Sequence, residues 1–133
     1  MEEHRLLNEE YSLIAQKLID TEDALLDIRR NDVTIVYLSS DKEKKSKGKI
    51  VCGECEKIPD RYKWAIPADF TIVIYDPNCE GMTDEQMKIL LLHELMHIGI
   101  TEEGRFFVRP HDIEDFEDII KEHGLHWAKK AGE

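Results

Sequence analysis

The stretch from Thr83 to Ile98 constrains this chain most. Thr83-Asp-Glu-Gln86 carries a capping-box pattern, with two acids at the positive end of the helix that it opens. The helix then shows Met87, Ile89, Leu90, Leu91, Leu92, Leu95, Met96 and Ile98 on nearly every side. A helix of that kind belongs at the centre of a domain, and Gly99 is its expected end. The rest of the fold has to be built around it.

Into this apolar helix the sequence sets His93-Glu94-Leu95-Met96-His97. Spacing of four residues puts both imidazoles on one face, where they can clamp one metal ion. Glu94 lies beside that face, within reach of a water at the ion without being a ligand. Two imidazoles and a carboxylate are costly to bury unless something satisfies them, and a metal ion does so. With six His and 17 Glu in 133 residues, a shuffled chain would carry about 0.03 such motifs. His93 and His97 are therefore read as ligands and Glu94 as a catalytic base.

A catalytic zinc site needs a third protein ligand and an open position. No third His stands six residues beyond His97, where Glu103 is found instead. His111, in Arg109-Pro-His-Asp112, is the preferred third ligand. Glu114, which fits an E-x-x-x-D glutamate-ligand pattern, is the alternative, and Asp112 or Asp115 could orient an imidazole from behind.

Hydrophobic periodicity places a helix from about Glu3 to Arg30, through Leu6, Leu7, Tyr11, Ile14, Leu18 and Ile19, with a break or bend at Asp20-Thr-Glu-Asp23. Strands are expected at Val33 to Leu38, at Lys49 to Cys52 and at Phe70 to Tyr75, with a short one between Arg105 and Arg109. Trp64 and Ile66 are expected to pack on the core, as is Trp127. Asp112 to His123 reads as a last helix stopped by Gly124. These elements describe an α+β domain, a few-stranded sheet packed against an N-terminal helix, the central helix and a C-terminal helix. Neither a repeat nor a Pro- or Ser-rich linker divides residues 1–133, so they are read as one domain.

Charge narrows the partners. The chain has 41% apolar and 35% charged residues and a formal net charge of -11. That field repels nucleic acid. The one basic cluster, in residues 39–49, reads as a flexible, solvated Lys-rich loop. No apolar run approaches a membrane span, and Met-Glu-Glu-His is a poor start for a signal peptide. Three Cys form no disulfide framework and suit a reducing cytoplasm. Cys52-Gly-Glu-Cys55 has half the spacing of a zinc knuckle without the other half, so Cys52, Cys55 and Cys79 are read as reduced structural thiols. His123 and His126 are read as surface residues near a helix end.

His93-Glu-Leu-Met-His97-Ile98, His111-Asp-Ile-Glu-Asp-Phe116 and the closing Gly124-Leu-His-Trp127 together resemble the putative phage metallopeptidase family, small zincin-like proteins of phages and prophages. Ala68-Asp-Phe-Thr-Ile-Val-Ile74 and the Lys49 to Trp64 region are similar to that family's layout as well. The resemblance implies a zincin-like scaffold, Zn2+ as cofactor, a peptide or protein substrate and a bacterial host cytoplasm. It implies hydrolysis by a zinc-bound water, with Glu94 passing the proton to the leaving amine. Tyr75, Arg105, Arg109 and His123 are candidate donors to the oxyanion, and the Phe70 to Tyr75 strand is a candidate edge for an extended substrate. A non-enzymatic zinc-binding module that binds or regulates a host or phage protein is the alternative, and hydrolysis of a non-peptide amide would use the same site.

Overall fold

The computed structural model describes residues 2–110. Strand β1 (Arg5–Leu7) leads to α1 (Glu9–Thr21), a 3-10 turn (Asp23–Leu25), α2 (Leu26–Arg30) and β2 (Ile35–Ser40). A hairpin of β3 (Lys45–Ser46) and β4 (Lys49–Ile50) precedes β5 (Gly53–Lys57). Then come β6 (Phe70–Tyr75), a 3-10 turn (Asp76–Cys79), α3 (Asp84–Met96), β7 (Ile98–Ile100) and β8 (Phe106–Val108). The fold is α+β, as its sequence implies. The expected C-terminal helix, with His123, His126 and Trp127, lies outside the described residues.

The main sheet has the order β1-β2-β6-β5. β2 and β6 run parallel, while β1 and β5 are antiparallel to their neighbours. β6 is therefore interior, which explains its largely apolar run: Phe70, Ile72, Val73, Ile74 and Tyr75 are all fully buried, and only Thr71 is polar. The sequence offers this strand as a possible edge for substrate; the edges are β1 and, on the side of α3, β5. Behind the sheet, Ala15, Leu18 and Ile19 of α1 and Leu90, Leu91 and Leu95 of α3 join Phe70, Ile72 and Ile74 in one core cluster. Among the described residues, no helix is long and apolar enough to cross a membrane.

The N-terminal helix starts later than periodicity suggests. Asn8 is extended and accepts the Tyr11 N–H through its side chain at 2.9 Å, so it caps α1, with Glu9 and Glu10 in the first turn. An Asn that can satisfy a free N–H terminates a helix more readily than it sits inside one. The residues before it pair with β2, leaving Leu6 and Leu7 71% and 75% exposed. The expected break is present at Glu22, which is extended.

Trp64 and Ile66 do not reach the core; Trp64 is 87% exposed. Local turn bonds, Tyr62 N–H to Pro59 O and Ile66 N–H to Tyr62 O, close this segment on itself, and Ile58 and Ala68 on either side are buried instead. In the Lys-rich segment, Lys47 and Gly48 both take positive φ (52° and 78°), the conformation that a two-residue hairpin turn needs. Lys42, Lys45, Lys47 and Lys49 face solvent.

α3 opens with both halves of the capping box. Thr83 Oγ1 accepts the Gln86 N–H at 3.2 Å, and Thr83 N–H donates to Gln86 Oε1 at 2.8 Å. Thr83→Ala should lower unfolding free energy by about 1 kcal/mol, read from the urea midpoint at an unchanged slope. The helix ends at Met96, before Gly99. Gly99 instead lies in β7 opposite Phe107, whose ring would be 2.3 Å from an added Cβ. Only a residue without a side chain lets that ring cross the strand.

Candidate metal centre

His93 and His97 lie one turn apart at the end of α3, their rings edge to face with centroids 4.8 Å apart. Their Nε2 atoms are 3.2 Å from each other. The ladder between β7 and β8 fixes the second ring. Its next rung joins Arg109 N–H to His97 O at 2.6 Å, which carries the Arg109 carbonyl to within 2.7 Å of His97 Nδ1. A carbonyl only accepts, so Nδ1 holds the proton and donates it, and in the neutral ring Nε2 keeps its lone pair toward His93.

Glu94 is 3% exposed, and its Oε1 has no hydrogen-bond partner among the described residues. Burial, then the nearby Glu54 and Cys52, push its carboxyl up to about 8. Gly53 of β5 lets the strand approach: a Cβ there would stand 3.4 Å from Glu94 Cγ and 3.2 Å from Val73 O. A cleft of about 350 Å³ opens over these groups, between Gly53 and Glu54 on one side and Arg109 and Pro110 on the other. Lys44, reaching in from before the hairpin, pairs with Glu54, which also accepts the Tyr75 hydroxyl at 3.0 Å. Cys55 lines the cleft too, its thiol pushed up to about 12 by burial, then by Glu94 and Glu56.

Over residues 4–133 the sequence matches the family described as putative phage metallopeptidase. The chain belongs to that family. Membership carries a peptidase class of hydrolase, a metal cofactor and a peptide or protein substrate at the level of the family's description. No curated protein and no solved structure matches the chain.

The residues present fit such a metal. Two imidazole nitrogens on one tetrahedral ion at 2.0–2.1 Å would stand roughly 3.3–3.4 Å apart, close to the observed 3.2 Å. A proton on Nδ1 held by a carbonyl is the usual support of a ligating histidine. The buried, unpartnered Glu94 oxygen is a costly group that a neighbouring cation would favour in its charged form. Among the described residues, no group of three or more His, Cys, Asp or Glu could hold an ion. His111, Glu114, Asp112 and Asp115 lie outside them.

Of the other candidates, Arg109 lines the cleft, whereas Arg105 is exposed away from it. Tyr75 is fully buried and bonded to Glu54. Gly53, Glu54 and Lys44 were not singled out from the sequence as site residues. Strand pairing over long separations brings them to α3, and no local pattern signals that.

Proposed function

We propose that residues 1–133 form one zincin-like domain that hydrolyses peptide bonds with zinc in a bacterial host cytoplasm. His93, His97 and His111 hold the ion and Glu94 is the general base. The convergence of two Nε2 atoms at 3.2 Å, beside a buried carboxylate, supports this reading most directly. His111 follows Pro110, a residue lining the cleft, directly in sequence.

When bound, the ion supplies Lewis-acid polarisation of the scissile carbonyl and brings the pKa of water to roughly 7. Glu94 takes the proton of the attacking water and returns it to the leaving amine. The Arg109 carbonyl keeps the His97 ring aimed throughout. β5 offers main-chain groups at the sheet edge on which an extended peptide can align.

Elemental analysis of the purified, tag-free protein should find about one zinc per chain, lost in the His93→Ala/His97→Ala variant. No metal in either, even after zinc is added, would return both histidines to the core and remove the peptidase reading. Zinc without cleavage of any member of a peptide library would favour the non-enzymatic module. His111→Ala should weaken zinc binding by more than the roughly 10–100-fold that losing an outer partner of a ligating histidine costs. If Glu114→Ala does so instead, the ligand set is of the glutamate type.

A further inference from the structure

The three cysteines do not group as their spacing suggests. Cys52 and Cys55 are separated by about 10 Å of extended chain, too far for a bridge. Cys52 instead meets Cys79, which ends the 3-10 turn after β6. The Cys79 sulfur lies 3.6 Å from the Cys52 carbonyl oxygen, and the Cys52 sulfur lies 3.8 Å from the carbonyl of Asn78. Each thiol shifts the titration of the other, so the two side chains are close neighbours. Tyr75 N–H donates to the same Cys52 carbonyl at 2.9 Å, so the main chains on both sides are held together without the sulfurs.

We propose that Cys52 and Cys79 are a redox modification site, a dithiol that low-molecular-weight disulfides of the glutathione type convert reversibly to a disulfide. Their environments divide the labour. Cys52 is half-buried, and the neighbouring Cys79 lowers its thiol to about 7. Cys79 is buried, and its thiol is pushed strongly up by the neighbouring Cys52 and by burial, so in the dithiol it keeps its proton. The Cys52 thiolate attacks one sulfur of the reagent disulfide, whose S–S bond breaks and releases one thiolate. With Cys52 capped, the interaction that held the Cys79 proton is gone. Cys79 gives that proton to water, attacks the Cys52 sulfur of the mixed disulfide as its thiolate and expels the second half of the reagent as a thiolate, and both released thiolates take up protons. The protein loses two hydrogens and the reagent becomes two thiols. The product ties the residue preceding β5 to the turn that leads toward α3, and so stiffens one wall of the cleft.

The test treats the reduced full-length protein with oxidised glutathione, then alkylates it under denaturing conditions and maps the thiols by mass spectrometry. One alkylatable thiol, Cys55, should remain, with the tryptic segment holding Cys52 joined to that holding Cys79. Cys55→Ser should keep the bridge and Cys79→Ser should halt at a glutathione adduct on Cys52. Cys52→Ser should react about 100-fold more slowly or not at all. Three alkylatable thiols after treatment, a bridge that survives Cys52→Ser, or an adduct placed on Cys55 would each overturn the proposal. None of these readouts involves metal or hydrolysis, so the result stands apart from the peptidase reading.

Discussion

Glu94→Gln is expected to bind zinc as the unsubstituted protein does and to cleave peptides about 10²–10⁴-fold more slowly. The amide has the volume and the acceptor oxygen of the carboxylate, so the helix and the two imidazoles above it stay in place. It cannot accept a proton from water at neutral pH. The loss should appear in kcat rather than in KM, because Glu94 acts on the reacting proton and not on the bound chain. Metal content measured on the same sample separates this outcome from a damaged site. Cleavage at the unsubstituted rate would remove Glu94 from the mechanism.

The same substitution should stabilise the metal-free protein, increasingly so as pH rises. In the unfolded chain a Glu ionises near 4.5, while in the fold burial, Glu54 and Cys52 raise Glu94 to about 8. Between these values the unfolded state has lost a proton that the folded state retains. Stability therefore falls as pH climbs through that window and levels off above it. Below about pH 4.5 both states hold the proton, and the carboxyl costs nothing extra. At 1.36 kcal/mol per pH unit the loss reaches about 3 kcal/mol by pH 7. Glutamine has no charge to bury and escapes it. Urea unfolding of the chelated protein and the variant should give curves that nearly coincide in acid and diverge toward pH 8. A gap that does not change with pH would mean that Glu94 is already ionised in the metal-free fold.

Much of what positions this site is local and could be read along the chain. The Thr83–Gln86 box, the four-residue spacing of His93 and His97 and the apolar run of β6 each express a period or a cap within a few residues, and each is present in the structure. Failures arose where a local pattern competed with a distant partner. Leu6 and Leu7 fit a helical stripe, but Asn8 caps the helix and Ser39 and Leu38 pair with them. The size of Trp64 suggests an anchor, yet turn bonds of the residues on either side, among them Ala65 N–H and Ile66 N–H to Tyr62 O, hold it at the surface. The edge role of β5, the Lys44–Glu54 pair and the meeting of Cys52 with Cys79 arise from register between segments 10 to 27 residues apart. Periodicity carries no information about such pairings.

The bond that aims His97 comes from a main-chain carbonyl, and that has an evolutionary consequence. Such a contact is blind to the identity of the side chain at position 109. The residue there can drift among most amino acids while the imidazole keeps its orientation, leaving that side chain available for contacts elsewhere in the cleft. Proline is the exception, since it would delete the amide that bonds His97 O. In this arrangement the aim of a reactive group is inherited with the hairpin itself, and the lining of the cleft beside it is free to diversify.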